Sequence, residues 1–139
     1  MKKAPSFCLP EIESGQPHCL DDYAGKVVVL TFWASWCPDC SRDLPQKEQL
    51  HGSMDSNKVK LIAINAASRE RAMEEGSKFS QKFLNQLSLV DNDGTFYKAY
   101  ECEGVPSTII IDQAGNIAGQ FGDKADFLSI VSKIGELID

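Results

Sequence analysis

Two cysteines three residues apart, in Trp36-Cys37-Pro38-Asp39-Cys40, are the residues of this chain best suited to chemistry. That spacing has two main uses, a redox dithiol or half of a zinc site. A structural zinc needs two further ligands, usually as a second close pair. The other candidates, Cys8, Cys19, Cys102, His18 and His51, are scattered singly along the sequence. The dithiol reading is therefore preferred, with no metal and no cofactor. At a helix start, unpaired backbone N–H groups and the helix dipole favour a thiolate on the first cysteine. The second, one turn deeper, can attack a mixed disulfide formed by the first, which completes thiol–disulfide exchange. On this reading Cys37 is an exposed nucleophile and Cys40 the buried resolving thiol. Asp39 sets a negative charge against the helix dipole at Cys37, and the two effects are each worth roughly 1 kcal/mol. Their near balance favours a reductant over a strong oxidant.

The flanking segments must hold that pair. Val27 to Phe32 is β-branched and apolar, as in a strand covered on both faces. Pro38 suits the first turn of a helix running to about Leu50, with Pro45 inside it expected to kink it. Val59 to Asn65 reads as a second buried strand. Ser68 then caps a helix running to about Leu87, with Phe79, Phe83 and Leu87 on one face and Gly76 as a weak point. Leu87 to Val90 reads as a short strand and Thr95 to Cys102 as a short helix. The loop Gly104-Val105-Pro106 leads into a strand from Thr108 to Asp112. Ala114-Gly115-Asn116 turns the chain into Ile117 to Phe121. Asp123 caps a last helix whose apolar side carries Phe127, Ile130, Val131, Ile134 and Leu137. Near the N-terminus, Phe7-Cys8-Leu9 and His18-Cys19-Leu20 form a hairpin around Ser14-Gly15. A Cys8–Cys19 disulfide depends on a register that sequence does not reveal. Alternation of strands and helices with a final antiparallel pair predicts an α/β fold, a central mixed β-sheet with helices on both faces. Residues 1–139 read as one domain, with 1–25 as an N-terminal extension carrying the hairpin.

Composition narrows the function classes. The chain has 139 residues, 42% hydrophobic and 24% charged, enough for a proper core. A formal charge of −6 without a basic stripe argues against nucleic acid. The longest apolar stretch is far short of the roughly 20 residues that span a bilayer. Met1-Lys2-Lys3 has no apolar run after it, so the chain is either cytoplasmic or an exported protein given without its leader. Cys102 reads as a buried core thiol, Trp33 and Phe32 as core, and His18 and His51 as surface residues. Trp36 lies beside the cysteines, where it could bind an apolar substrate surface.

The stretch from Val28 to Cys40, Val-Val-Leu-Thr-Phe-Trp-Ala-Ser-Trp-Cys-Pro-Asp-Cys, resembles thioredoxin. Ala4-Pro5-Ser6-Phe7 and Gly25-Lys26 resemble its bacterial TlpA/ResA-like branch. The likeness extends through Gly104 to Thr108 and the Asp112-x-x-Gly115-x-Ile117 turn. It implies a thioredoxin-like fold and a thiol–disulfide oxidoreductase that reduces protein substrates. It also implies that Pro106 is cis and faces the cysteines, and that Val105 pairs with substrate backbone. Trp36 and Pro38 complete the substrate-binding set. Thr31, six residues before Cys37, stands where thioredoxins carry a buried aspartate. Asp43 stands where the branch has a glutamate, and either transfers the proton of Cys40 or pairs on the helix surface with Arg42 or Lys47. The resemblance further implies a monomer outside the cytoplasm, with a membrane thiol carrier as electron donor and apocytochrome c or envelope proteins as substrates. A thiol peroxidase of the peroxiredoxin-related group needs Pro and Thr where this chain has Leu30 and Ala34. A non-catalytic module has no need of both cysteines.

Overall fold

The strand that delivers the cysteines also divides the core. In the computed structural model, which describes residues 2–72 and 74–138, β3 (Val27–Trp33) is buried along its whole length. Its even residues Val28, Leu30 and Phe32 join one apolar cluster, with Ile62, Ile64, Ile109 and Ile111. Its odd residues Val27 and Val29 join a second on the opposite face, with Leu61, Ile110, Ile130 and Ile134. Because side chains alternate along a strand, a central strand buried on both faces reads as a continuous apolar run.

Around it the sheet has five strands in the order β5-β4-β3-β6-β7. β4 (Val59–Ala66) runs parallel to β3, and β5 (Leu87–Asp91) parallel to β4. β6 (Ser107–Ile111) lies antiparallel on the other side of β3, and β7 (Ile117–Phe121) closes the hairpin. The turn between them takes Gly115 at φ +86°, where a side chain would be strained. The Asp112 carboxylate accepts the N–H groups of Ala114 and Asn116 there. One face is covered by α1 (Pro38–Ser53), α2 (Glu75–Phe83) and α4 (Phe127–Ile138), through Leu44 and Leu50, Phe79, and Ile130 and Ile134. The other is covered by α3 (Thr95–Ala99) and the N-terminal segment, with Phe7 edge-on to Phe96. The mixed sheet with helices on both faces is thus the fold that the strand and helix order predicts.

The N-terminal hairpin pairs β1 (Cys8–Pro10) with β2 (Pro17–Cys19) in a register that sets Cys8 opposite Cys19, and the two form a disulfide. It docks on the β5 edge, where the Ile12 N–H donates to the Ser88 carbonyl.

Four expectations need correction. The helix expected from Ser68 to Leu87 spans only Glu75–Phe83, and Ser68 lies in a separate 3₁₀ turn. The helix cannot run through Glu70, whose backbone is extended and whose carboxylate holds Ser35 and Asn65. Phe83 is more than half exposed, and Leu87 belongs to β5. α3 stops at Ala99 because Glu101 takes φ +57° and ends the helix. The last helix begins after Asp126, not Asp123: the Asp126 carboxylate accepts the Leu128 N–H and its carbonyl the Ser129 N–H. His18 and His51 are half-buried, and His18 lies within 3.3 Å of both the Tyr23 hydroxyl and the Glu11 carboxylate.

Candidate active site

β3 ends at Trp33, and five residues later α1 begins at Pro38, whose missing N–H is no loss in a first helical turn. Cys37 is the residue that caps this helix. Its sulfur accepts the Cys40 N–H at 3.1 Å, so the thiol takes the place of a capping oxygen. Its S–H faces the Val105 carbonyl at 3.4 Å. The Val105–Pro106 peptide bond is cis. Both cysteines are free thiols.

Cys37 is less open than expected, with 4% of its surface exposed. Val105 and Trp36 pack in the same cluster and cover it. Trp36 is half-buried, its indole N–H donating to the Arg69 carbonyl at 2.6 Å, with the Arg71 guanidinium over its ring. Pro38 is exposed at the rim. Cys40 is fully buried, and its thiol is pushed well up, first by burial, then by its hydrogen bond with Cys37 and by the Asp43 carboxylate. Asp39 pairs with the Arg42 guanidinium, so the charge set inside the Cys37–Cys40 loop has a partner of its own.

Asp43 does not pair with Arg42. Its carboxylate accepts from the Lys47 ammonium at 3.0 Å, one turn along α1. Lys47 is itself fully buried and also donates to the Thr31 hydroxyl at 3.0 Å and the Thr108 hydroxyl at 2.9 Å. Burial lowers the pKa of that ammonium, while Asp43 works to keep it charged. A groove of about 460 Å³ beside this cluster is lined by Asp39, Arg42, Asp43, Pro106, Thr108 and Lys124, among others. Asp43 thus reaches both solvent and the buried interior.

Two features differ from what the sequence predicts. Lys47, expected as a surface partner of Asp43, is one: it falls at the same phase of α1 as the buried Cys40, Leu44 and Leu50, which marks an inward position. The other is the Glu70 carboxylate, which accepts the Ser35 N–H at 2.8 Å, the Ser35 hydroxyl at 2.6 Å and the Asn65 amide at 2.7 Å. It pins the turn just before Trp36 and Cys37. Cys102 is only half-buried, and burial pushes its thiol up to about 11. Among the described residues no group of three or more His, Cys, Asp or Glu side chains is arranged to hold a metal ion.

The sheet order and the dithiol at its strand-to-helix junction mark the thioredoxin-like class. Residues 1–120 match the AhpC/TSA family, and the chain belongs to it. It is 33% identical over 115 residues to the thiol-disulfide oxidoreductase ResA of Geobacillus thermodenitrificans, a match covering 82% of this chain and 64% of that protein's length. It is 32% identical over 117 residues to the thioredoxin-like protein YneN of Bacillus subtilis, covering 84% of this chain and 67% of that one. Among solved structures it is similar to the exposed lipoprotein thioredoxin Etrx1 of Streptococcus pneumoniae. That pair superposes with a TM-score of 0.83 at 25% identity, covering 96% of this chain and 100% of the other.

Proposed function

We propose that this protein is a thiol–disulfide oxidoreductase that reduces disulfides in protein substrates through Cys37 and Cys40. The observation that carries this reading is the capping geometry: a free thiol at a helix start, its sulfur on the Cys40 N–H and opposite the cis-Pro106 loop. The Cys37 thiolate attacks one sulfur of the substrate disulfide, and the other sulfur leaves as a thiolate that takes a proton from solvent. Cys40 then gives up its proton and attacks the Cys37 sulfur. The Cys37–substrate bond breaks as the Cys37–Cys40 bond forms, so the dithiol is oxidised and the substrate disulfide reduced. No cofactor enters. Asp43 is the residue that takes the Cys40 proton, since its carboxylate lies between the buried cluster and the groove. Trp36, Pro38, Val105 and Pro106 form the surface that substrate meets, with Val105 offering backbone bonds.

A location outside the cytoplasm is supported by the Cys8–Cys19 disulfide, because such bonds persist in oxidising compartments. Among the described residues no helix is long and apolar enough to cross a membrane. In that setting the electrons come from a membrane thiol carrier, and the protein acts as a monomer on envelope proteins or apocytochromes. The peroxidase reading is disfavoured because Leu30 and Ala34, both fully buried, stand where it requires proline and threonine.

Insulin reduction driven by dithiothreitol tests the proposal. The protein accelerates it, Cys37→Ser abolishes the acceleration, and Cys40→Ser traps substrate on Cys37 as a mixed disulfide visible by intact mass. Turnover that is absent, or that survives Cys37→Ser, overturns the reading in favour of a binding module.

A further inference from the structure

A buried ammonium in a small domain needs a reason. Lys47 has no exposed surface, and its three N–H donors meet three acceptors: Asp43 one turn away on α1, Thr31 on β3 and Thr108 on β6. Thr31 and Thr108 are direct cross-strand partners. Lys47 therefore ties together the helix that carries Cys40, the strand that leads to Cys37, and the strand that follows cis-Pro106. It lies in a polar island between the apolar cluster around Val29, Leu50 and Ile110 and the one around Trp33, Cys40 and Leu44.

The charge balance of the resolving step gives this island a use. Before Cys40 is deprotonated, the cluster holds a thiol, the Asp43 carboxylate and the Lys47 ammonium, and its net charge is zero. Once the proton has moved from Cys40 to Asp43, it holds a thiolate, a carboxylic acid and the same ammonium, again with zero net charge. Without Lys47 both states would bury one uncompensated negative charge, which low-dielectric surroundings strongly disfavour. The other ionisable groups nearby do not substitute for it. β3 and β6 bring only hydroxyls to this point. Cys37 is spent in the mixed disulfide, Asp39 and Arg42 pair at the groove rim, and Lys124 lies across the groove beside Asp123.

Resting on the dithiol reading above, we propose that Lys47 is a positioning residue for the resolving step, holding Asp43 in place and keeping the cluster neutral while Cys40 becomes a thiolate. Lys47 stays protonated throughout and exchanges no proton with substrate.

The test is single-turnover reduction of a peptide disulfide by excess reduced protein, quenched in acid and read by intact mass. Lys47→Met keeps the aliphatic stem and removes the charge. It slows release of reduced peptide about tenfold or more near neutral pH, within the range of a lost proton-transfer contribution. The Cys37 mixed disulfide accumulates meanwhile, and both effects shrink toward about pH 9, where hydroxide is about a hundredfold more abundant than at about pH 7 and competes with Asp43 for the Cys40 proton although burial holds that thiol weakly acidic. Lys47→Gln also removes the charge but leaves Asp43 in place and keeps an N–H donor for the hydroxyls of Thr31 and Thr108. It behaves in the same way, so the test stands even if Lys47→Met alone does not fold. A rate within about twofold of the parent near neutral pH, or an equal loss at both pH values without accumulated mixed disulfide, overturns the inference for Lys47. A parent protein that reduces no peptide at all overturns the dithiol reading instead.

Discussion

Cys40 and Lys47 present the same physical problem from opposite sides. One is a thiol that must ionise where burial opposes it, and the other an ammonium that must stay charged where burial opposes that too. Asp43 links them, and its exposure decides what each substitution costs. Asp43→Asn strands a fully buried ammonium, whereas Lys47→Met strands a carboxylate whose side chain keeps 15% of its surface open to the groove. Removing one partner of a buried pair costs about 3–5 kcal/mol when the other stays uncompensated and dry. Urea denaturation should therefore place Asp43→Asn near that range and Lys47→Met clearly below it. Equal losses would mean that the groove does not hydrate Asp43. The cysteine pair, its flanking Trp36 and Pro38, and Asp43 are all visible in the sequence as residue types at chemical spacing. The partner of Asp43 is not, because Arg42 and Lys47 are equally plausible neighbours on a helix whose inward face is unknown. The apolar phase set by Cys40, Leu44 and Leu50 was the available clue.

At the scale of elements, α2 shows local preference losing to a tertiary contact. Gly76 costs a helix about 1 kcal/mol relative to alanine, so propensity alone predicts that Gly76→Ala stabilises. The structure reverses the sign. A Cβ at Gly76 would stand 2.4 Å from the Asn65 Oδ1 atom, and Asn65 is held by the Trp33 carbonyl and Glu70. Gly76→Ala should lower stability by roughly 1–3 kcal/mol, the usual cost of overpacking, and thermal unfolding would register it. The late start of this helix has the same origin. Glu70 and Ser35 are 35 residues apart in the chain, and no periodicity within residues 68–87 encodes their contact. By contrast β3 and α4 were legible, since their burial follows directly from apolar runs and from a stripe at helical spacing.

For the whole molecule, buried acids set the alkaline limit of stability. Burial raises Cys40, Tyr100 and Cys102 above their ordinary values, Cys102 from 9.0 to about 11. Above about pH 9 the unfolded chain releases protons that the folded one retains, so stability falls as pH rises. For Cys102 the stabilisation is complete below 9 and is lost on passing through 11. Lys47, shifted down by burial, acts in the opposite sense. Urea midpoints of the reduced protein should decline between about pH 9 and 11, and Cys102→Val should flatten part of that decline. A slope unchanged in that variant would remove Cys102 from the account.

Sequence by itself determined the dithiol, the strand before it, the helix that Pro38 opens and the mixed character of the sheet. Each of these is written in residues adjacent in the chain or repeating at strand or helix period. Tertiary structure alone decided that Cys8 meets Cys19, that Val105 covers a Cys37 expected to be open, and that Lys47 points inward. Lys47 meets Thr31 from 16 residues away and Thr108 from 61 residues away. Such a contact depends on strand register and helix rotation, both settled by packing of the complete core. The pair at Cys37 and Cys40 could be read from five letters, but the charges that let Cys40 react are brought together only by the fold.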